Sequence, residues 1–272
     1  MEYKKYTSKK TTSFICEGYF YWKGEVEKEL DVQSPPTSYN ALVFNLGDLC
    51  YGYQHNNKTL PIPQNFVCGQ FTNNYHLVIK GEIEMVGIIF KPTAMYNLFK
   101  LRMSNLVNNR MPLEHVLGGQ ALKIYNSLKK EPEPALKINI LKKLIETWSE
   151  KAKVNLTIID DTIEYIDERI KNITVQEVVD HFHLSKRYFE IKFLEKVGVS
   201  PKMYIRLKRI STLCYQALYQ NESDWQEIVN DFGFYDQAHF IKEFNKFNFT
   251  SPAKYKKDHN ELIRFVKNEN VK

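Results

Sequence analysis

Hydrophobic positions change their spacing along this chain, and the change separates two kinds of structure. Over residues 14 to 91 the apolar residues form short runs bounded by Gly, Pro and Asn. Three such runs are Val43–Gly47, Phe66–Gln70 and Glu84–Phe90. Short apolar runs with these boundaries are typical of β-strands. Their spacing predicts a small, mostly antiparallel barrel or sandwich.

Helical spacing takes over after this region. Pro92 predicts the start of a helix over Thr93–Lys100, and Pro132 and Pro134 precede a stronger one over Ala135–Glu150. The predicted apolar face of the stronger helix consists of Leu136, Ile140, Leu141, Leu144, Ile145 and Trp148. Lys137 interrupts this face in the first turn, where we expect its ammonium to reach water. Whether the helix covers the β-domain or pairs with a second copy of itself stays open.

A polar stretch, Ser149–Asn155, predicts a linker, and a new apolar helix face begins after it. The face repeats at steps of four, three and four residues, at Ile159, Ile163, Ile166 and Ile170. We therefore expect an α+β chain with three parts. Residues 1–152 form a β-rich regulatory or dimerisation domain with C-terminal helices, residues 153–260 an all-helical domain, and residues 261–272 a polar basic tail.

The helical domain contains one pattern twice. Phe189, Phe193 and Ser200-Pro201 recur 51 residues later as Phe240, Phe244 and Ser251-Pro252. A repeat of this length indicates one supersecondary unit used twice, and the unit fits a helix-turn-helix. A long helix starting at Pro201 is predicted to join the two units.

Local signals predict where the helices of both units begin. Thr174-x-x-Glu177 is a capping box, and Ser185 and Asp236 are suitable N-caps for the second helix of each unit. Gly233 suits a left-handed turn between helices. Ser223 is predicted to cap the first helix of the second unit, whose inner face holds Ile228, Val229 and Phe232.

With the repeated phenylalanines facing inward, the second helix of each unit presents a different set of residues outward. In the first unit these are Lys186, Arg187, Tyr188, Glu190 and Ile191, and in the second Gln237, Ala238, His239, Ile241 and Lys242. Such helices commonly read base edges in the major groove. These ten residues are the predicted contacts with double-stranded DNA.

A plain helical bundle is the alternative for either unit alone, and charge does not decide between the two. Between Thr174 and Lys257 there are 13 Lys and Arg against 10 Asp and Glu, a weaker basic excess than many DNA-binding domains have. The repetition of the same inner and outer positions favours DNA reading, with two helices entering successive major grooves about 34 Å apart.

Composition narrows the class of protein further. No apolar run reaches 18 residues, and the N-terminus carries no secretory pattern, so we expect a cytoplasmic chain with no membrane segment. The four cysteines are scattered without Cys-x-x-Cys spacing, which predicts reduced thiols and neither a metal nor a cofactor. The net charge of +6 allows an anionic partner without requiring one.

Three other constellations have a functional and a structural interpretation. His181-x-His183 resembles metal-ligand spacing but lies at a helix end, which favours a polar terminus. Cys68, with His55 and His76 in the same domain, suggests a nucleophile and base, although no local signature supports catalysis. The aromatic run Tyr19–Trp22 places alternate rings on opposite sides of a strand, where one side could line an effector pocket or simply pack in the core.

Residues 153 to 258 resemble the AraC/XylS family of bacterial transcription regulators. The second unit carries the motif Ile228-Val229-x2-Phe232-Gly233-Phe234-x-Asp236-x-Ala238-His239-Phe240-x-Lys242-x-Phe244-x6-Ser251-Pro252-x2-Tyr255, and the first carries Leu184-Ser185-x-Arg187-x-Phe189 and Gly198-x-Ser200-Pro201-x2-Tyr204. Arg209-Ile210 stands where the family has an Arg-Leu pair. Two positions depart from the family pattern: Ile191 replaces a frequent base-contacting Arg, and Phe249 replaces a Gly.

The N-terminal part resembles the β-rich sensor-like domain of a subset of these regulators. The resemblance rests on Val43–Asp48, Phe66-Val67-x-Gly69-Gln70, Gly87-Ile88-x-Phe90-x-Pro92 and Pro112–Glu114. Domains of this kind bind a small-molecule effector or mediate dimerisation, and this one could bind an effector, form a homodimer, do both or do neither. RNA polymerase is a further candidate partner. The expected function is a sequence-specific DNA-binding transcription regulator with no catalytic residues.

Two alternatives remain open from the sequence. The N-terminal domain could serve only to dimerise a DNA-binding protein. The chain could also resemble alkyl-repair enzymes that share this kind of DNA-binding unit. The scattered cysteines do not provide the zinc-binding cluster or the reactive-cysteine motif of those enzymes, so we expect no enzyme activity.

Overall fold

The computed structural model describes residues 1–54, 58–219, 232–234, 236–258 and 270–271. Its strands are β1 Glu2–Thr7, β2 Cys16–Ser34, β3 Asn40–Asn45, β4 Tyr51–Tyr53, β5 Leu60–Pro61, β6 Asn65–Cys68, β7 Tyr75–Phe90, β8 Arg110–Pro112 and β9 Asn270–Val271. The three apolar runs identified in the sequence lie on β3, β6 and β7 or continue directly from them.

The strands form one sheet in the order β8-β6-β3-β7-β2-β1-β9, with the short β4–β5 pair attached to β7. All pairs are antiparallel except that of β1 with β9. The long strands β2 and β7 pair over most of their length, with a register shift between Val26 and Leu30. Such irregularities bend a strand and increase its twist. The expected β-rich N-terminal domain is therefore confirmed.

Both faces of this sheet are buried, and each face belongs to a different hydrophobic core. Leu42 and Phe44 of β3 belong to a core that the helices complete, whereas Ala41 and Val43 belong to a second, smaller core on the opposite face. This alternation follows from the two-residue period of a strand. The side of the sheet facing the second core also lines a cavity, described below.

The helices of the N-terminal domain cover the first of these faces. They are α1 Ala94–Phe99, α2 Glu114–Leu117, α3 Gln120–Lys130 and α4 Pro134–Ala152, with a 3₁₀ turn at Met103–Asn105. The predicted helices at 93–100 and 135–150 correspond to α1 and α4. Ile138, Leu141 and Ile145 of α4 pack in the helix-covered core. Helix α4 therefore covers the β-sheet, one of the two alternatives for it.

Two details of α4 differ from expectation. Lys137 is 2% exposed and does not reach water, so this prediction was wrong. Its ammonium lies 3.1 Å from the Glu84 carboxylate of β7 and donates to the Leu128 carbonyl at 2.7 Å. A buried ammonium is tolerated when it is paired and hydrogen-bonded in this way. Leu136, expected on the apolar face, is instead exposed.

The described residues between 158 and 258 form helices and contain no strand. Its helices are α5 Ile158–Glu168, α6 Val175–His181, α7 Lys186–Val197, α8 Pro201–Tyr219, α9 Gln237–Asn248 and α10 Pro252–Asp258. One core contains Ile159, Ile163, Ile166 and Ile170 together with the four repeated phenylalanines. The predicted apolar face and the predicted duplicated core are thus confirmed. None of the described helices is long and apolar enough to cross a membrane.

The predicted helix starts are largely confirmed. Thr174 and Glu177 form a reciprocal capping box, and the Ser185 hydroxyl accepts a hydrogen bond from the Tyr188 amide. The Asp236 carboxylate accepts one from the His239 amide at 2.7 Å. Gly233 has a φ of +65°, the left-handed conformation that its turn was expected to need. The predicted cap Ser223 and the inner-face residues Ile228 and Val229 lie outside the described residues.

Candidate nucleic-acid interface

Helix α7 of the first unit presents its outer face to solvent over three turns. Phe189 and Phe193 are fully buried with their rings 5.4 Å apart, which fixes the rotation of the helix. The predicted contact residues, Lys186, Arg187, Tyr188, Glu190 and Ile191, are all exposed on the other side. The N-terminal end of α7 lies on this exposed surface. The helix dipole and the backbone amides at that end favour binding of phosphate.

Helix α9 of the second unit repeats this arrangement. Phe240 and Phe244 are buried with a ring distance of 5.6 Å, and Phe244 packs edge-on against Tyr255 of α10. All five predicted contact residues are exposed, namely Gln237, Ala238, His239, Ile241 and Lys242. The structure therefore places every predicted residue on an outward face.

Two further residues extend these faces and were missed in the sequence. Leu194 lies seven residues after Arg187 and is 46% exposed, and Asn245 holds the equivalent position after Ala238. Residues separated by four and seven positions share one side of a helix. Continuing the helical spacing for another turn would have identified both. The middle of the exposed face is formed by Arg187, Ile191 and Leu194 on α7, and by Ala238, Lys242 and Asn245 on α9.

The C-terminal end of α7 is held by the N-terminal domain. Gly198 follows the helix with a φ of +91°, and a Cβ there would lie 2.7 Å from the Met103 carbonyl oxygen. Only glycine combines this backbone conformation with so close an approach. The Tyr96 hydroxyl of α1 donates to Glu195 at 2.6 Å. The reading helix thus docks by one end and exposes the other.

A buried ionic cluster reinforces this contact. The Lys196 ammonium of α7 lies 3.2 Å from the Asp160 carboxylate of α5 and donates to Thr157 at 2.8 Å. Asp160 also accepts hydrogen bonds from Thr93 at 2.6 Å and Asn97 at 2.9 Å, both in the N-terminal domain. Burial raises the pKa of Asp160, but these donors and the ammonium outweigh burial and bring the pKa below its ordinary value.

The joining helix α8 is fixed to both units. The Arg209 guanidinium donates to the carbonyls of Ile170 and Ile173, each at 2.7 Å, and so ties α8 to the turn before α6. Arg206 forms a bidentate pair with Glu243 of α9 at 2.7 and 2.9 Å. Bidentate pairs of this kind are directional and restrict rotation. Helix α8 therefore sets the relation between the two reading helices.

A cavity of about 470 Å³ lies between the second face of the β-sheet and α8. Phe20 and Trp22 contribute to its wall, whereas Tyr19 and Tyr21 pack in the helix-covered core. The aromatic run of β2 therefore lines a cavity on one side of the strand and packs in the core on the other. The volume of the cavity is within the range of small-molecule binding sites.

The charged groups among the described residues that line this cavity are all cationic. Lys5, Arg110 and Lys208 line it, and none of the described lining residues is acidic. The Arg110 guanidinium stacks over Phe71 at 4.6 Å and Tyr75 at 4.9 Å. Lys208, from α8, also pairs with Asp167 at 2.7 Å. The Trp22 indole N–H has no hydrogen-bond partner among the described residues.

The other candidate residues from the sequence, the histidine pair and the group around Cys68, make structural contacts where the structure describes them. His181 stacks on the Tyr165 ring at 4.1 Å, at the end of α6. Cys68 is half-buried, and desolvation raises the pKa of its thiol. His76 is paired with Asp31 at 2.8 Å. His55 lies outside the described residues. No group of three or more potential metal ligands occurs within the part of the chain that the structure describes.

Comparison with known proteins assigns the two halves separately. Residues 178–258 match a family described as a helix-turn-helix domain, and residues 10–112 match a domain of unknown function (DUF6597). LumQ of Photobacterium leiognathi, a probable transcriptional regulator, is 25% identical over 119 residues, 43% of this chain and 46% of LumQ. The chain thus spans about half the length of this curated relative.

Two solved structures are similar to this chain at low sequence identity. Fatty-acid-bound wild-type ToxT of Vibrio cholerae is 11% identical with a TM-score of 0.49, over 93% of this chain and 96% of ToxT. The C-terminal domain of AraT, a response regulator from Geobacillus stearothermophilus, is 19% identical with a TM-score of 0.37, over 43% and 93% of the two chains.

The C-terminal part of this chain is therefore a helix-turn-helix domain of the AraC type. The matched range covers both described reading helices, α7 and α9, and the joining helix α8. The resemblance to the AraC/XylS family, drawn from the motifs in the sequence, is confirmed for this domain.

Proposed function

We propose that this chain is a sequence-specific DNA-binding transcription regulator controlled through its N-terminal domain. The observation that carries the proposal is the duplicated scaffold: two helices share the same buried phenylalanines and expose different side chains. A scaffold of this kind suits the reading of one asymmetric site in two successive major grooves. The DNA-binding half of the proposal is supported by the helix-turn-helix match of residues 178–258.

The ten exposed residues of α7 and α9 would make the base contacts. Arg187 suits a guanine, because its guanidinium can donate to O6 and N7 together. Ile191 and Ala238 suit thymine methyl groups, since they offer only apolar contact. Lys186 and the helix N-termini would hold phosphates and set the register on the duplex. The two units would therefore read different bases.

The cavity between the β-sheet and α8 is the proposed effector site. Its aromatic wall favours a largely apolar molecule. The three cations among its described lining residues, which include no acidic residue, favour an anionic group on that molecule. An anion near Lys208 would compete with Asp167 for the ammonium of the joining helix. Occupancy would thereby act on the element that relates the two reading helices.

The remaining proposals concern a second copy of the chain, RNA polymerase and the cellular compartment. Leu122 of α3 and Leu136 of α4 are exposed on helices of the N-terminal domain, and we propose that these helices form the homodimer contact. Contact with RNA polymerase and a place in the cytoplasm follow from the proposed regulatory role. We propose no catalytic activity.

Selection of bound DNA from a random pool tests the DNA-binding half. We expect one asymmetric motif with two half-sites a helical turn apart. Recovery of no motif would refute it.

For the effector half, thermal unfolding is measured with apolar carboxylates and with their uncharged amides. The carboxylates should raise the melting temperature of the intact chain by mass action, and less so that of Arg110→Gln. Equal shifts for acids and amides would refute the proposed anionic class.

A further inference from the structure

The second reading helix, α9, is completed by residues from the other domain. The last carbonyls of an α-helix have no partner within the helix. Here the Lys246 carbonyl accepts from the Asn73 side chain at 3.0 Å, and the Asn248 carbonyl from the Asn74 side chain at 2.6 Å. The Phe247 carbonyl accepts from the Asn74 backbone amide at 2.9 Å. Three consecutive carbonyls are thus capped by the N-terminal domain.

This contact is part of the core and not a surface encounter. Asn74 is 2% exposed, and Asn248 is fully buried. The Asn248 amide donates to Phe244 of its own helix at 3.3 Å and lies 3.6 Å from the Cys214 sulfur of α8. Phe249 then leaves the helix in the left-handed conformation, with a φ of +53°. A buried polar group must keep its partners, so the joint fixes where α9 ends.

The loop that carries the two asparagines is anchored on both sides. Phe71 forms a bridge with Thr37, and Thr72 exchanges hydrogen bonds with Asn108 at 2.8 Å in each direction. Tyr75 begins β7, and its ring centre lies 4.3 Å from that of Phe71. Both rings line the cavity. The asparagines therefore project from a rigid loop between two residues of the cavity wall.

We propose that Asn73 and Asn74 are positioning residues for DNA reading. They hold the C-terminal end of α9 and thereby set its place relative to α7, so that the N-terminal domain completes the second reading unit. The inference rests on the proposed DNA-binding function. Since α7 is held by other groups, at Tyr96, Asn97 and Met103, loss of the two asparagines acts on the second half-site alone.

The test is a footprint of the intact chain on its selected DNA, resolved for each half-site. In the double variant Asn73→Ala, Asn74→Ala, protection of the second half-site should need about tenfold more protein, while the first changes less than about twofold. Asn109→Ala is the matched control, because the side chain of this exposed asparagine donates to the Asn105 carbonyl of its own turn. It should leave both half-sites unchanged.

A merely structural role predicts a different result, in which both half-sites weaken together as the folded fraction falls. That result, or no change at either half-site, would overturn the inference. Should the double variant not fold, Asn73→Ala alone, at a partly exposed position, is expected to weaken the second half-site selectively by a smaller factor. Failure of the unaltered chain to select any DNA would instead refute the proposed function.

Discussion

Removing the ammonium of Lys196 tests how the reading domain is fixed to the N-terminal domain. Lys196 is 7% exposed and faces Asp160, Thr157 and Asn97. Lys196→Met keeps most of the side-chain length and the helix propensity but leaves the Asp160 carboxylate buried without a counter-charge. Breaking a buried pair from one side costs about 3–5 kcal/mol. Asp160 keeps its donors from Thr93, Asn97 and Thr157, so we expect the free energy of unfolding to fall by about 3 kcal/mol, the lower end of this range.

Urea unfolding followed by tryptophan fluorescence measures this cost. With a slope of about 2–3 kcal/mol per molar urea, the midpoint should fall by roughly 1 M. Lys192→Met is the control, because Lys192 forms an exposed pair with Glu195 on the same helix. It should leave the midpoint unchanged. A fall of less than about 1 kcal/mol for Lys196→Met, or equal falls for both variants, would refute the reasoning.

The pH dependence has a definite sign. The pKa of Asp160 is lowered in the folded chain, so its ionised form stabilises the fold above the ordinary pKa of 3.8. This contribution is lost as the pH falls through the folded-state value. In Lys196→Met the same carboxyl lacks its ammonium, and its pKa should rise. The difference between the two midpoints should therefore be largest near neutral pH and narrow as the pH falls toward 4. A constant difference would contradict this explanation.

Three further predictions concern separate parts of the molecule. Arg187→Ala should weaken the binding free energy by about 1–3 kcal/mol at one base position, as measured by mobility-shift titrations. The exposed Lys143→Ala should cost nothing there, and unchanged affinity and preference in Arg187→Ala would count against base reading by α7. Lys153→Gly, at a φ of +46°, should raise stability by about 0.5–1 kcal/mol, because the relieved backbone strain exceeds the added chain entropy; an unchanged urea midpoint would disprove this. Burial raises the pKa of Cys16 and Cys50 to about 11 and that of Cys214 to about 12, so these thiols should react slowly with a disulfide reagent at pH 8 and rapidly in urea. Fast reaction of the folded chain would contradict their burial.

Signals that act over a few residues were readable from the sequence. The capping box at Thr174 and the caps at Ser185 and Asp236 need only neighbouring amides, so each could be predicted without knowledge of the rest of the fold. The rotation of the reading helices followed from the repeated phenylalanines for the same reason. The outward faces of the candidate site were therefore predictable from local spacing.

Contacts between distant segments left no such signal. Lys137 interrupts an apolar face, and its contacts with Glu84 on β7 and with the Leu128 carbonyl explain how it is buried. Asn73 and Asn74 are two polar loop residues whose partners lie 173 and 174 residues further along the chain. Nothing in their surroundings in the sequence distinguishes them from an ordinary turn. The way in which one domain supports the other needed the three-dimensional structure.

The buried cluster around Asp160 has a consequence for domain exchange between regulators. Two of its donors, Thr93 and Asn97, belong to the N-terminal domain, whereas Asp160 and Lys196 belong to the reader. A chimaera that fuses this reader to a foreign N-terminal domain would inherit a carboxylate without those donors. Such a fusion would need an equivalent pair of residues one helical turn apart. We therefore expect a chimaera to keep the stability of this joint only where the foreign N-terminal domain supplies both donors.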